Sequence, residues 1–418
     1  MGNLKILLCA YACEPGKGSE PEVGWGTAIV LAKKDTSNNY FVITRKNNRE
    51  KIQSQNSPEN LSFFYYELPN LFLKFKKAGN FTRIYYYLWM FGAVRFLRKR
   101  KINFDIIHHI TFVNDWLPSV FIKLKNKRNI FIWGPVGSHD KVPGKFLFTN
   151  KEKLIEFFRI KLQWFFRRFD PYFNRCKNHS DLIIGINQNV NKKLGLNTDN
   201  FLVSPAIGMK KGVVNFDNST CTEVFNVLSI GRLIHIKNFK LTLRSFSKFI
   251  DLIDKEKRKK VILTIVGSGN QKEELIKITK ELRVFNNINF IEFLPQDQLM
   301  KLYNESNLFL FPTLESAGFV ILEAMSSGLP IVALDYGGPG QFIKQRKEQQ
   351  LVDPNLSIEE IENKISSLIL RLFENKALRT EIGALNKNTI LKEFTWEAKA
   401  DKYINIYNSL LIKKPLHD

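Results

Sequence analysis

Between Pro312 and Gly340 the chain reads PTLESAGFVILEAMSSGLPIVALDYGGPG, and two carboxylates in this stretch, Glu315 and Glu323, have a spacing suited to binding a charged polyol. The apolar run LFLFP (Leu308–Pro312) reads as a strand ending in a turn, and a helix is expected to begin near Gly318. The free N–H groups of its first turn, at Gly318, Phe319 and Val320, would then attract an anion at the carboxyl end of a sheet. Glu323 lies five residues after Gly318, about 7.5 Å along a helix axis, inside the apolar run FVILEAM, where a carboxylate needs a partner. A ribose offers two vicinal hydroxyl donors that one carboxylate can accept. Glu315, in the turn, falls on the other side of the anion pocket, so the spacing suits sugar, diphosphate and ribose in that order.

Two glutamates eight positions apart also arise by chance, with Glu323 then capped by a backbone or arginine partner and Glu315 a solvated turn residue. Here the strand, the turn, Gly318, the apolar helix, the second strand PIVALD and the Gly337-Gly338 turn all agree, and a motif gains its meaning from such a context. On these residues the chain resembles the retaining glycosyltransferases of family 4, whose GT-B fold carries an E-x7-E block of this kind in its C-terminal nucleotide-binding domain. The resemblance extends to SIGRLIHIKNFKLTLRSF (Ser229–Phe246), LTIVGSGNQKEEL (Leu263–Leu275), NINFIEFLP (Asn287–Pro295) and the terminal FTWEAKADKYINIY (Phe394–Tyr407).

The elements that must position these residues alternate along the whole chain. Apolar strands at KILLCAY, YFVITR, LSFFYYEL, FDIIHHITF, NIFIWGP, DLIIGIN and NFLVSP, with a first helix from about Glu22, describe one doubly wound α/β domain. VFNVLSIGR, VILTIVGSG, NINFIEF, LFLFPT, PIVALD and QQLVDP describe a second. The expected fold class is therefore α/β, two Rossmann-like domains facing across a cleft. The expected division is residues 1–205 for acceptor binding, a linker over 206–222, residues 223–393 for the nucleotide sugar, and a C-terminal helix over 394–418 that, by the resemblance, returns to the first domain. A ligand cleft is expected at the carboxyl ends of both sheets.

With 418 residues, 44% of them hydrophobic, two domains with substantial cores are the natural expectation. The net charge of +23 is unevenly placed: residues 1–200 hold 33 Lys/Arg against 15 Asp/Glu, leaving 30 against 25 for the rest. No nucleic-acid recognition motif accompanies that basic field, and an anionic membrane surface is the better partner. The segments Asn70–Lys101 and Lys145–Arg175 combine bulky aromatics with Lys and Arg at helical intervals. Each suits a membrane interface with aromatics down and cations toward lipid phosphates, the alternative being aromatics in the core and cations in water. Cys9, Cys13, Cys176 and Cys221 show no metal-ligand or disulfide spacing and read as reduced thiols. The N-terminal apolar run is too short to span a membrane, and a cytoplasmic protein, peripheral on the inner face of the plasma membrane, is expected.

Gly231-Arg232 at a strand end and Lys237 at the head of the next helix place two cations where a diphosphate would be held, Arg232 as a fork and Lys237 as a point charge. Spacing alone leaves them as solvated surface cations; the match of GRL-x4-K to the family's diphosphate-binding pattern is what assigns them. Gly267 and Gly269 in the VGSG turn permit close backbone approach near a base, and the backbone at Phe293–Leu294 would face that base, Leu294 replacing the family's usual small residue. In the loop YACEPGKGSEPEVGWG, Gly16, Gly18 and Ser19 could offer backbone N–H groups to a phosphate or an acceptor hydroxyl, or simply form a solvated loop. His108 and His109 face opposite sides of a strand, so one of them can face a cleft. His109 is the candidate, a buried structural histidine being the alternative, and His139 stands only near the position where the family often has a histidine. No D-x-D pair is present, so metal-independent chemistry without a cofactor is expected.

The resemblance implies transfer of a sugar from a UDP- or GDP-sugar to a hydroxyl of a glycan or lipid-linked acceptor, with retention, in cell-surface polysaccharide or glycolipid assembly. Glu315, Arg232, Lys237 and His109 would serve the chemistry and Glu323 the ribose. Rival readings are another GT-B enzyme, an epimerase or phosphorylase, and a catalytically silent glycan- or nucleotide-binding partner at a membrane.

Overall fold

The structure, a computed structural model, describes residues 3–72, 82–138, 140–196, 198–210 and 223–414. All thirteen expected apolar runs form strands. In the first unit β1 (Lys5–Cys9), β2 (Asn39–Arg45), β3 (Leu61–Tyr66), β4 (Ile106–His109), β5 (Ile130–Val136), β6 (Leu182–Gly185) and β7 (Phe201–Val203) make a parallel sheet in the order β3-β2-β1-β4-β5-β6-β7. Near-continuous apolar strands such as IFIWGPV are what a sheet covered on both faces requires, and every residue of that strand is buried. Helix α1 (Ser19–Lys34) begins three residues earlier than expected, because Gly18, at φ 54, turns the chain directly into it. Helix α2 (Thr82–Lys99) turns Tyr85, Tyr86, Trp89, Met90, Ala93, Val94 and Leu97 into the core. In the Asn70–Lys101 segment the aromatics of the described part are thus largely core; residues 73–81 of it lie outside the described residues.

The second unit holds β8 (Phe225–Ile230), β9 (Val261–Val266), β10 (Ile288–Ile291), β11 (Leu308–Leu310), β12 (Ile331–Leu334) and β13 (Leu351–Val352), parallel in the order β10-β9-β8-β11-β12-β13. This order places the carboxyl ends of β9, β8, β11 and β12 side by side, which brings together loops that are up to about a hundred positions apart in sequence. The expected Gly337-Gly338 turn is instead the start of a short helix, Gly337–Phe342.

The division between units differs from the sequence expectation over residues 139–158. The first unit comprises residues 1–138, 159–208 and 396–418; the second comprises 139–158 and 209–395. Residues 139–158, expected in the first domain, are held in the second by their buried polar groups: the Glu152 carboxylate accepts from Lys240 Nζ at 2.9 Å and from Gln271 Nε2 at 2.8 Å. The C-terminal helix runs Trp396–Lys413 and groups with the first unit. Of the expected linker, 211–222 lie outside the described residues. No helix among the described residues is long and apolar enough to cross a membrane. Cys9, Cys13 and Cys176 are buried free thiols; Cys221 is outside the described residues.

Candidate functional site

The site is built by backbone hydrogen bonds between loops that follow neighbouring strands. After β8, Gly231 N–H donates to Val266 C=O at 2.9 Å and Leu233 N–H to Ser268 C=O at 2.9 Å, fixing this loop to the one after β9. The chain then makes a tight turn at His235–Lys237, with Asn238 at φ 57, a conformation Asn tolerates better than most residues. Asn238 Nδ2 donates to Pro312 C=O at 3.1 Å and Leu314 N–H to Ile236 C=O at 3.0 Å, so the loops after β8 and β11 are joined as well. His235 is half-buried in that turn.

This stitching places Lys237, only 9% exposed, in an ion pair with the Glu315 carboxylate. The Lys237 ammonium also lies 5.5 Å from the centre of the Phe311 ring. Lys237 and Glu315 are 78 positions apart, and the sequence assigned them to different parts of a ligand without showing that they touch. The Glu315 loop is held from a third side: Gly338 N–H donates to Glu315 C=O at 3.2 Å. At Gly337 a Cβ would stand 2.2 Å from that same oxygen, and φ is +54, so the close approach and the left-handed backbone both require glycine.

The helix after the loop is α3 in the second unit's site, Phe319–Ser326, with Gly318 at φ 61 as its N-cap and no side-chain cap. Gly318 is buried and Phe319 and Val320 are half-buried. Within the helix Glu323 is half-buried; its Oε2 accepts from Tyr303 Oη at 3.0 Å and its Oε1 from Gln296 Nε2 at 3.4 Å. Burial raises the Glu323 carboxyl above the usual range, and the hydrogen bonds from Tyr303 and Gln296 pull it back. Tyr303 and Gln296, both from the helix Gln296–Glu305, were not anticipated. No spacing signal points to them, because their meeting with Glu323 depends on helix packing beside β11.

Arg232 is exposed at the end of β8. Gly267, at φ 151, and Gly269 have a packing explanation of their own: a Cβ would stand 1.9 Å from Gly231 C=O oxygen in the first case and 2.4 Å from Leu233 C=O oxygen in the second. Leu294 is half-buried beside Phe293, which is 79% exposed.

In the first unit Gly16 and Gly18 both adopt positive φ, 69° and 54°, in open space, and the helix starts at Ser19. His109 is corrected by the structure. It is 1% exposed at the end of β4, with Nε2 2.8 Å from Tyr86 Oη and its ring against Phe121. His108, fully buried on the opposite face, bridges Tyr407 Oη and Gly134 C=O at 2.7 and 2.8 Å. Both are structural histidines. They sit in a strand buried on both faces, so neither side leads to solvent. His139 lies outside the described residues.

Burial lowers both imidazoles from 6.5 to about 3. The unfolded chain therefore binds protons below pH 6.5 that the folded chain refuses until about pH 3, and stability must fall as pH drops through that window. The expected slope is at most about 1.4 kcal/mol per pH unit for each histidine. Urea midpoints at about pH 7.5 and about pH 5 check it; equal midpoints, or a rise toward acid, would contradict two neutral buried histidines.

Residues 216–384 match the family model described as Glycosyl transferases group 1. An uncharacterized glycosyltransferase of Methanocaldococcus jannaschii is 27% identical over 182 residues, covering 43% of this chain and 44% of that relative, so the chain spans less than half of its length. A second uncharacterized glycosyltransferase from the same organism is 25% identical over 367 residues, 83% of this chain and 81% of the relative. Among solved structures, Anabaena Alr3699/HepE in complex with UDP superposes with a TM-score of 0.63 at 16% identity, covering 97% of this chain and 100% of that one.

Proposed function

We propose, from the match of residues 216–384 to the Glycosyl transferases group 1 model and from the GT-B fold, that the protein transfers a sugar from a UDP- or GDP-sugar to a hydroxyl of a glycan or lipid-linked acceptor. The reading includes retention at the anomeric carbon, no metal ion, and work at the cytoplasmic face of an anionic membrane during cell-surface glycan assembly. The observation that carries it is the Lys237–Glu315 pair set beside a glycine-capped helix terminus, with Glu323 inside the same helix. The named neighbour from Anabaena was crystallised with UDP, which supports the nucleotide part.

Each group then has a task that its position suits. The diphosphate takes the helix terminus at Gly318, Phe319 and Val320, and the cations Lys237 and Arg232 neutralise it as charge builds on the leaving oxygen. Glu315, fixed by Lys237, accepts from the sugar hydroxyls and stabilises positive charge at the anomeric carbon. Glu323, already oriented by Tyr303, accepts from the ribose. The bond from the anomeric carbon to the diphosphate oxygen breaks and that to the acceptor oxygen forms on the same face, the departing phosphate taking the acceptor proton. Gly267, Gly269 and Leu294 are assigned to the base side, and Gly16, Gly18 and Ser19 of the first unit to the acceptor.

Glu323→Ala is expected to weaken donor and free nucleoside diphosphate alike, since both carry the ribose, by about 1.5–3 kcal/mol for a charged hydrogen-bonding partner. Glu315→Ala should mainly lower turnover of the intact donor. Calorimetry with UDP and GDP tests this, and unchanged affinity of both nucleotides for Glu323→Ala would remove the ribose assignment.

A further inference from the structure

The helix Asn150–Phe169 turns both of its carboxylates and Gln163 inward and most of its rings outward. It is 20 residues long, about 30 Å at 1.5 Å per residue. Glu152, Glu156 and Gln163 are at most 5% exposed. The Glu152 carboxylate meets Lys240, that of Glu156 accepts from Val142 N–H at 2.8 Å, and Gln163 accepts from Arg167, whose guanidinium holds Asp115 at 2.6 Å. By contrast Phe157, Phe158, Trp164, Phe165 and Phe169 are each 52–61% exposed. Scattered apolar side chains on a surface need no explanation, but a run of exposed aromatics along one helix is a patch of the kind that marks an interaction surface.

The charges of the helix say which kind. Its only two acidic residues, Glu152 and Glu156, are buried, while Lys151, Lys153, Lys161 and Arg168 are exposed. Every exposed charge is therefore positive. A two-fold contact between copies of this chain would set the face against itself, cation facing cation with no carboxylate between them. An anionic bilayer supplies both complements at once, hydrocarbon for the rings and phosphate for the cations, whose long stems let the charged heads reach the headgroups from among apolar neighbours.

We propose that the outward side of Asn150–Phe169 seats the protein in the interface of an anionic bilayer, with these aromatic rings at the boundary between headgroups and acyl chains and Lys153, Lys161 and Arg168 on lipid phosphates. The proposal deepens the membrane setting of the function above and rests on that reading for the presence of a bilayer. It assigns the attachment to inserted rings as well as to surface charge, so salt alone does not abolish it.

The test uses the full chain with large unilamellar phosphatidylcholine vesicles, with and without phosphatidylglycerol, by co-sedimentation. The variant Phe158→Ser/Phe165→Ser/Phe169→Ser should melt like the wild type, because its changes lie in water, and should lose roughly tenfold or more of its vesicle partitioning at any salt. The variant Lys153→Gln/Lys161→Gln/Arg168→Gln should bind anionic vesicles more weakly at low salt and match the wild type in about 1 M salt, where the Debye length is about 3 Å. A wild type that stays in solution with anionic vesicles, or a triple Ser variant that binds as well as the wild type, overturns the proposal. So does a wild-type dimer that the Ser variant turns to monomer without any vesicle binding. A thermal shift with UDP or GDP, scored on all three proteins, separates this outcome from failure of the donor site: vesicle binding without a nucleotide shift supports the membrane face and removes only the donor reading.

Discussion

Lys237→Met is expected to lower kcat by roughly 10²–10³-fold, the loss typical of removing one preorganised group that stabilises developing charge. The methionine keeps most of the stem that packs near Phe311, so the change removes the charge with little change of volume. It also leaves the Glu315 carboxylate without its partner, and that side chain is only 21% exposed, so part of any loss could come from a displaced loop. The double variant Lys237→Met/Glu315→Gln separates the two effects. It removes the stranded charge and should recover stability, while turnover stays low. Arg232→Ala, at an exposed position, should lower turnover without changing the melting temperature. Release of nucleoside diphosphate, followed with and without EDTA, reads all of these. Full activity in Lys237→Met, or activity abolished by chelation, would show that the leaving group is neutralised some other way.

Gly337→Ala is expected to cost nearly as much activity as Glu315→Ala although it adds one methyl group and touches no ligand. That methyl would stand 2.2 Å from Glu315 C=O oxygen at a residue with φ +54, so the loop carrying Glu315 must move. Overpacking of this kind costs about 1–3 kcal/mol, and the left-handed backbone adds about 1–2 kcal/mol for a residue with a Cβ. Gly144→Ala in the same unit is the control, since nothing lies within 4 Å of its Cβ position. A melting curve and a turnover measurement on both variants decide the matter: the prediction fails if Gly337→Ala keeps wild-type turnover.

Glu315, Gly318 and Glu323 became candidates from a strand, turn and helix pattern that is local in sequence, whereas Arg232 and Lys237 became candidates only through the family resemblance, since spacing alone leaves them as solvated cations. Short strand-like apolar runs between turn and helix signals are visible locally, and all thirteen became strands. Tyr303 and Gln296 could not be named, since nothing near them in sequence marks a meeting with Glu323. His109 went the other way. Its chemistry made it a candidate, but β4 lies in mid-sheet with both faces covered, and its ring ends on Tyr86 and Phe121.

The sequence by itself determined the α/β alternation, the doubly wound character of both halves and the residue types at the glycine-capped helix terminus, because period, glycine placement and strand length act over a few residues. Tertiary structure alone decided that Lys237 holds Glu315, that residues 139–158 join the second unit, and which basic, aromatic helix turns its rings outward. Thr82–Lys99 and Asn150–Phe169 look alike in composition, yet the first buries Tyr85, Tyr86 and Trp89 while the second buries Glu152, Glu156 and Gln163. The difference is what each helix packs against: apolar strands draw rings inward, whereas Lys240, Asp115 and the Val142 N–H offer buried partners that only polar side chains can satisfy.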